Sequence, residues 1–269
     1  MMKIYRIIGF LLASVLAVIW LVPYGWVLVN SFLLPVSASR STIGFGLENF
    51  RSVLVAAPFG QYFINSVLMT AGILTLQFIT MTLASYAFAR LRFFGSDAVF
   101  ILLLLQIVIP NDILIVPNYT TIVRLGSMNT LIGIMLPFFG SAFGIFLLRQ
   151  TFKSIPPDFE EAAEIDGCSL FCRLWHVYIP MSQPAYIAFA LVSVSTHWND
   201  FLWPLIVTNS DLVRPMTVGL AMFATSFETG AQWGEVSAAT LLVTLPLMVL
   251  FIAFQKKFIE SFTYSSGLK

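Results

Sequence analysis

The sequence predicts an all-α membrane protein with six transmembrane helices and one long polar elbow between the fourth and fifth. Three observations predict it. The 269 residues are 58% hydrophobic and only 10% charged, which excludes an ordinary soluble globule. Charge-poor apolar runs recur along the chain, and the longer ones reach the about 20 residues that a helix needs to cross a bilayer. The one long polar segment, Pro157 to Pro184, holds five of the thirteen acidic residues.

The first run follows Lys3 and Arg6 and is free of charge from Ile7 to Ser39. A secretory signal has a shorter apolar core of about 7–15 residues, and Ser37-Ala38-Ser39 is a weak cleavage site placed too far downstream. Ile7 to Val29 is therefore expected to be an uncleaved span, peripheral to a core running from Phe63 to Phe254. A polar stretch with Pro35, Arg40, Glu48 and Arg51 leads to a second span, Phe63 to Phe88, closed by Arg90 and Arg92. The third, Val99 to Tyr119, is interrupted by Pro110, Asn111, Asp112 and Pro117. In the fourth, Leu131 to Leu148, Gly140 and Gly144 form a GxxxG pair that either admits a neighbouring helix or arises by chance. A fifth span from Ala185 to Val207, a loop from Thr208 to Ser237 and a sixth span from Ala238 to Phe254 complete one domain, residues 1–269.

The elbow, within residues 150–184, reads as helix, glycine, helix. Asp158 resembles an N-cap with Glu161 as its capping-box partner, and Glu160 and Glu161 suit the positive end of a helix dipole. Ala162 and Ala163 give a small face, Gly167 suits a left-handed stop, and Ser169 suits the cap of a second helix. Ile179-Pro180 and Pro184 end the segment. Lys and Arg counted by loop give ten on one side (Lys3, Arg6, Arg90, Arg92, Arg149, Lys153, Arg173, Lys256, Lys257, Lys269) and four on the other (Arg40, Arg51, Arg124, Arg214). Both termini and the elbow are thus expected in the cytoplasm.

The net charge of +1, with no basic cluster, argues against a nucleic-acid partner. There is no G-x-x-x-x-G-K-[ST] phosphate loop and no nucleophile-elbow arrangement, so ATP energy would have to come from another subunit. Cys168, Cys172 and His176 at i, i+4 and i+8 mimic a metal site, but three ligands along one straight helix lie too far apart for a single zinc. They read better as helix fillers, and no disulfide framework can be argued from two cysteines.

Glu161-Ala162-Ala163, Asp166-Gly167, Val177-x-Ile179-Pro180 and Pro184 together resemble the EAA loop of inner-membrane permeases in binding-protein-dependent ABC importers. Val177 stands where Ile is usual and Ile179 where Leu is usual. Phe63-Ile64-Asn65-Ser66, Leu147-Leu148-Arg149-Gln150, Trp198-Asn199-Asp200 with Trp203-Pro204, and Gln232-Trp233-Gly234 extend the resemblance to the carbohydrate branch, with a shortened Gly-containing tail at Ser265 to Lys269. The resemblance implies that the elbow is a coupling segment, with Glu160, Glu161, Ala162, Ala163, Asp166 and Gly167 as the candidate ATPase-coupling residues. An alternative for Asp166 is a purely local helix-end role. It also implies two ATPase subunits that bind the ATP and Mg, a second homologous permease and a periplasmic or extracellular solute-binding protein. This chain would carry no cofactor and no catalytic residue of its own.

Asn111, Asp112, Asn199 and Asp200 lie within or near the outer third of the membrane. A charge in hydrocarbon costs about 2.5–3.5 kcal/mol on insertion scales, so such groups face a cavity or a partner. They are candidate translocation-path residues, with Trp198 and Trp203 as stacking surfaces for a sugar ring. The alternative is an outer interfacial belt, where Trp and Asp are cheap. Gln77 and Gln106 are expected to hydrogen-bond between helices. Two competing classes remain: a secondary carrier or channel using Asp112 and Asp200, and a membrane-embedded enzyme, which would need a nucleophile or metal cluster that is not seen.

Overall fold

A computed structural model describes residues 2–34, 44–226 and 232–265. Pro35, the Ser37-Ala38-Ser39 stretch, Arg40 and the tail beyond Ser265 lie outside the described residues, as does part of the predicted Thr208–Ser237 loop. Among the described residues three helices can cross a membrane by length and composition, or up to six if each of three bent pairs is one span.

The long spans are α1 (Met2–Phe32), α3 (Phe59–Arg90) and α14 (Trp233–Ser265). α1 packs along α14 with Trp26 edge-on to Trp233 at 5.9 Å, and none of its most apolar window is buried. Between them the polar stretch folds into a two-residue antiparallel ladder, β1 (Leu33–Leu34) with β2 (Gly44–Phe45), and a short helix α2 (Glu48–Ala56). Asn49 Nδ2 donates to the carbonyls of Ser31 and Leu33 at 3.0 and 2.9 Å and pins α2 to the end of α1.

The expected third span is not one straight helix. It is α4 (Ser96–Val108), a 3₁₀ turn (Asn111–Leu114) and α5 (Ile115–Arg124), bent by 99°. Pro110 lacks an N–H and forces Ile109 into extended backbone, which ends α4. The fourth span bends by 47° between the stretch formed by α6 (Leu131–Met135) with a 3₁₀ turn (Leu136–Phe138) and α7 (Ala142–Ser154). Gly140 falls at that break with nothing within 4 Å of a built Cβ, whereas a Cβ on Gly144 meets Met81 Sδ and Phe189 at 2.7 Å. Only one half of the GxxxG pair therefore serves close helix approach.

After the elbow (α8, Pro157–Ile165; α9, Leu170–Arg173; a π-helical turn, Leu174–Tyr178; α10, Ile179–Met181) the chain bends by 77° into α11 (Gln183–Trp198). The fifth span stops at Trp198 instead of Val207, and Leu202–Val207 is a separate helix, α12. The predicted loop that follows contains α13 (Met216–Thr225), whose Met216, Val218 and Phe223 are buried. Ten apolar residues are too few to span, and their burial comes from packing on α3 and α14.

Two sequence signatures explain their own packing. Asn65 Nδ2 donates to the carbonyls of Leu212 and Arg214 at 2.9 and 3.0 Å, and Ser66 Oγ accepts from the Met216 N–H at 2.9 Å. The second span thereby holds the start of α13. Arg149 lies 3.8 Å over the Phe100 ring and donates to the Phe88 carbonyl, joining α3, α4 and α7 on the side of the elbow.

Candidate functional site

The elbow is built from local signals. α8 starts with Pro156 at the N-cap and Pro157 at the first position, so Asp158 is a first-turn residue and not the cap; the capping box with Glu161 does not form. The helix ends at Asp166, which is the exposed C-cap, and Gly167 takes a left-handed φ of 77°. The Cys168 N–H donates to the Ala163 carbonyl and the Gly167 N–H to the Glu164 carbonyl, both at 2.9 Å. That pair of bonds is a Schellman stop, and it explains why glycine stands there. Ser169 Oγ then accepts from the Cys172 N–H at 3.4 Å and caps α9.

Cys168 precedes α9, so it does not share a helical face with Cys172 and His176. The turn brings the Cys168 and Cys172 Cα atoms to 5.4 Å and the two are joined by a disulfide, correcting the filler reading. Cys172 Sγ is 3.7 Å from His176 Nδ1.

The acidic residues of α8 divide into two sets. Glu161, Asp158, Glu164 and Asp166 are exposed, as are Ala162 and Gly167, and Ala163 is half-buried. Glu160 instead turns inward, its side chain 17% exposed. Tyr86 and Tyr178 donate hydroxyls to it at 2.8 and 2.5 Å, Arg173 donates at 3.3 Å, and Arg90 Nε stands 3.7 Å away. Arg173 also pairs with Glu164. Sequence reasoning placed Glu160 with the docking residues; the tyrosines and arginines that claim it lie up to 74 positions away, and local pattern carries no trace of them.

Away from the elbow, a cavity of about 670 Å³ opens between α3, α4, α7, α11 and α12. Asn111, Asp112, Asp200 and Trp203 line it, together with Gln77, Gln106, Ser193, Thr196 and His197. Asp112 is exposed and Asp200 half-buried. Asp200 stands just before Phe201, the N-cap of α12. Gln77 joins three elements: its Nε2 donates to the Phe138 carbonyl at 2.9 Å and lies 3.4 Å from His197 Nε2, and its Oε1 accepts from Ser193 Oγ at 2.6 Å. Gln77 is thus the interhelical bonder expected, while Gln106 is exposed on the cavity wall.

Trp198 and Asn199 lie apart from the cavity, and Trp203 only borders it. Trp198 is buried against α14 and donates its indole N–H to the Val243 carbonyl at 3.0 Å. Trp203 is 4% exposed and donates to the Ile134 carbonyl, so its ring mainly fills the core. Asn199 bonds back to the Ser195 carbonyl and borders a separate, mostly apolar groove between α1, α11 and α14. Outside the membrane-spanning segments, the Tyr62 hydroxyl and Arg214 hold Asp211 below the usual carboxylate range. The three tie the start of α3 to the loop before α13.

Apolar helices, an exposed acidic elbow and a polar cavity among the helices define a polytopic membrane protein. Residues 75–263 match the family model described as "Binding-protein-dependent transport system inner membrane component", and the chain belongs to that family. Among curated relatives, the lactose transport system permease protein LacG of Rhizobium radiobacter is 28% identical over 257 residues, covering 94% of this chain and 93% of the relative. The arabinooligosaccharides transport system permease protein AraQ of Halalkalibacterium halodurans is 30% identical over 191 residues, covering 71% and 68%. The sn-glycerol-3-phosphate transport system permease protein UgpE of Yersinia enterocolitica is 29% identical over 178 residues, covering 66% and 63%. A crystal structure of a bacterial ABC transporter involved in the import of the acidic polysaccharide alginate superposes with a TM-score of 0.85 at 22% identity, covering 95% of this chain and 97% of that one. The fold is therefore that of an ABC transporter chain.

Proposed function

We propose that this chain is one membrane half of an ATP-driven importer for a carbohydrate or related polyol: a sugar, an oligosaccharide or glycerol-3-phosphate. A second, homologous permease supplies the other half of the path, two ATPase subunits bind the ATP and Mg, and a solute-binding protein outside the bacterial cytoplasmic membrane delivers the solute. Both termini and the elbow lie in the cytoplasm, as the excess of Lys and Arg on that side supports.

The observation that carries the reading is the elbow's outward face. Glu161 stands exposed beside Ala162 in the middle of α8, a helix closed by a Schellman turn. Glu161 offers a carboxylate to a basic group of the ATPase, and the alanines permit close seating. When nucleotide closes the ATPase subunits, the seated elbow moves, and the spans joined to it tilt between two states.

Asn111, Asp112 and Asp200 line the path in this reading. The carrier alternative draws on the same Asp112 and Asp200, but family membership favours the importer. Uptake assayed with vanadate and with an uncoupler tests this: importer-driven uptake stops with vanadate and persists with the uncoupler, and the reverse pattern overturns the proposal.

A further inference from the structure

We propose that Glu160 is a positioning residue, the joint through which the elbow and the cytoplasmic ends of the second and fourth spans move as one body. This rests on the coupling role given to the elbow above. Four elements meet at this one carboxylate. Tyr86 and Arg90 come from the end of α3, Tyr178 and Arg173 from the second half of the elbow, and Glu160 itself from α8. Arg90 adds the end of α7 and the link that follows it, donating to the Phe152 and Ile155 carbonyls at 2.9 and 2.5 Å.

The rings around it are packed as well. Tyr178 stands edge-on to Tyr86 and to Phe152, each at 5.1 Å, and Arg90 lies 5.4 Å from the Tyr178 ring centre. Glu160 and Glu164 carry two negative charges against two positive charges on Arg90 and Arg173, so the cluster is neutral and tolerates partial burial. Removing the Glu160 charge alone leaves one positive charge in excess and weakens the acceptor of two phenolic hydroxyls. A force applied at Glu161 reaches α3 and α7 through this joint, one residue away, and not only through the backbone links. A joint of this kind lets the ATPase contact and the spans bias the same two-state element.

The test uses the whole transport complex in lipid. Spin labels replace Ile165 on the elbow and Phe94 just beyond α3, both strongly exposed, with Cys168→Ser and Cys172→Ser so that only the labels react. Wild type is expected to give one narrow distance, the same without nucleotide and with ATP bound. Glu160→Gln is expected to broaden that distance and to lower solute moved per ATP hydrolysed about tenfold, the shift expected when one charge-assisted bond no longer holds a two-state contact. Tyr178→Phe keeps the ring and deletes one hydroxyl; a smaller change in the same direction is expected, and it serves if Glu160→Gln does not fold. Wild-type distance and wild-type solute-per-ATP ratio in both variants would overturn the proposal, as would a wild-type distance that differs between nucleotide states. Failure of the ATPase to bind the wild-type chain overturns the coupling reading instead. The label distance, measured on the chain in lipid, still decides the joint.

Discussion

The elbow and the interior cavity both gather polar groups in an apolar protein, and they treat charge in opposite ways. At the elbow, Glu160, Glu164, Arg90 and Arg173 neutralise one another within hydrogen-bond or ion-pair distance, and the exposed face of α8 is left to Glu161 and its neighbours. Around the cavity the work of joining helices falls to neutral groups, Gln77 with Ser193, His197 and the Phe138 carbonyl, while Asp112 stays on the wall. Paired charges hold the elbow to the ends of the spans, and uncharged hydrogen bonds join the helices around the cavity. In a bilayer an uncharged bond spares the protein the cost of burying an ion.

The largest break in this comparison is expected from Glu161→Lys. The residue is exposed, so membrane insertion and the fold should persist while solute uptake is lost and ATP hydrolysis runs uncoupled; uptake and hydrolysis measured on the same proteoliposomes check it. Next comes packing between the two regions. Gly144→Leu drives a side chain into Met81 and Phe189, an overpacking cost of about 1–3 kcal/mol, whereas Gly140→Leu at the open break should be near neutral. Thermal unfolding in detergent distinguishes them.

Removing both hydrogen bonds of the outer anchor by Asn65→Ala should lower stability by about 1–3 kcal/mol, because two carbonyls lose their partner, and denaturant titration reads that effect. The smallest effects are expected at the cavity carboxylates. Asp112→Asn should leave vanadate-sensitive uptake in place. Asp200→Asn is near-isosteric at a half-buried position on the cavity wall and should leave that uptake in place as well. Abolished uptake in either variant would show that the path needs the carboxylate itself; only uptake that an uncoupler stops and vanadate does not would return these residues to the carrier reading.

Much of this was legible before any coordinates. The elbow's glycine stop and its Ser169 cap follow from residues within a few positions of each other, and the structure has both. The apolar runs located the membrane helices but not their breaks. Pro110 was visible as an interruption, yet the 99° turn it permits depends on what α5 packs against. Trp198 and Trp203 read as sugar platforms because tryptophan near a membrane edge has two uses. Only the carbonyls of Val243 and Ile134, distant in sequence, reveal that both indoles are anchored in the core. The inward turn of Glu160 was hidden for the same reason, and so was α13, whose burial depends on α3 and α14.

The central claim is that the elbow seats on an ATPase through its outward face. Gentle detergent purification of the chain from its native membrane, with and without Glu161→Lys, tests it most directly. An ATPase and a second permease are expected to co-purify with the wild-type chain, and ATPase binding or solute-stimulated hydrolysis is expected to be lost in the variant. A chain that purifies without any ATPase, or an ATPase that binds the variant and responds to solute as it does with wild type, would contradict it.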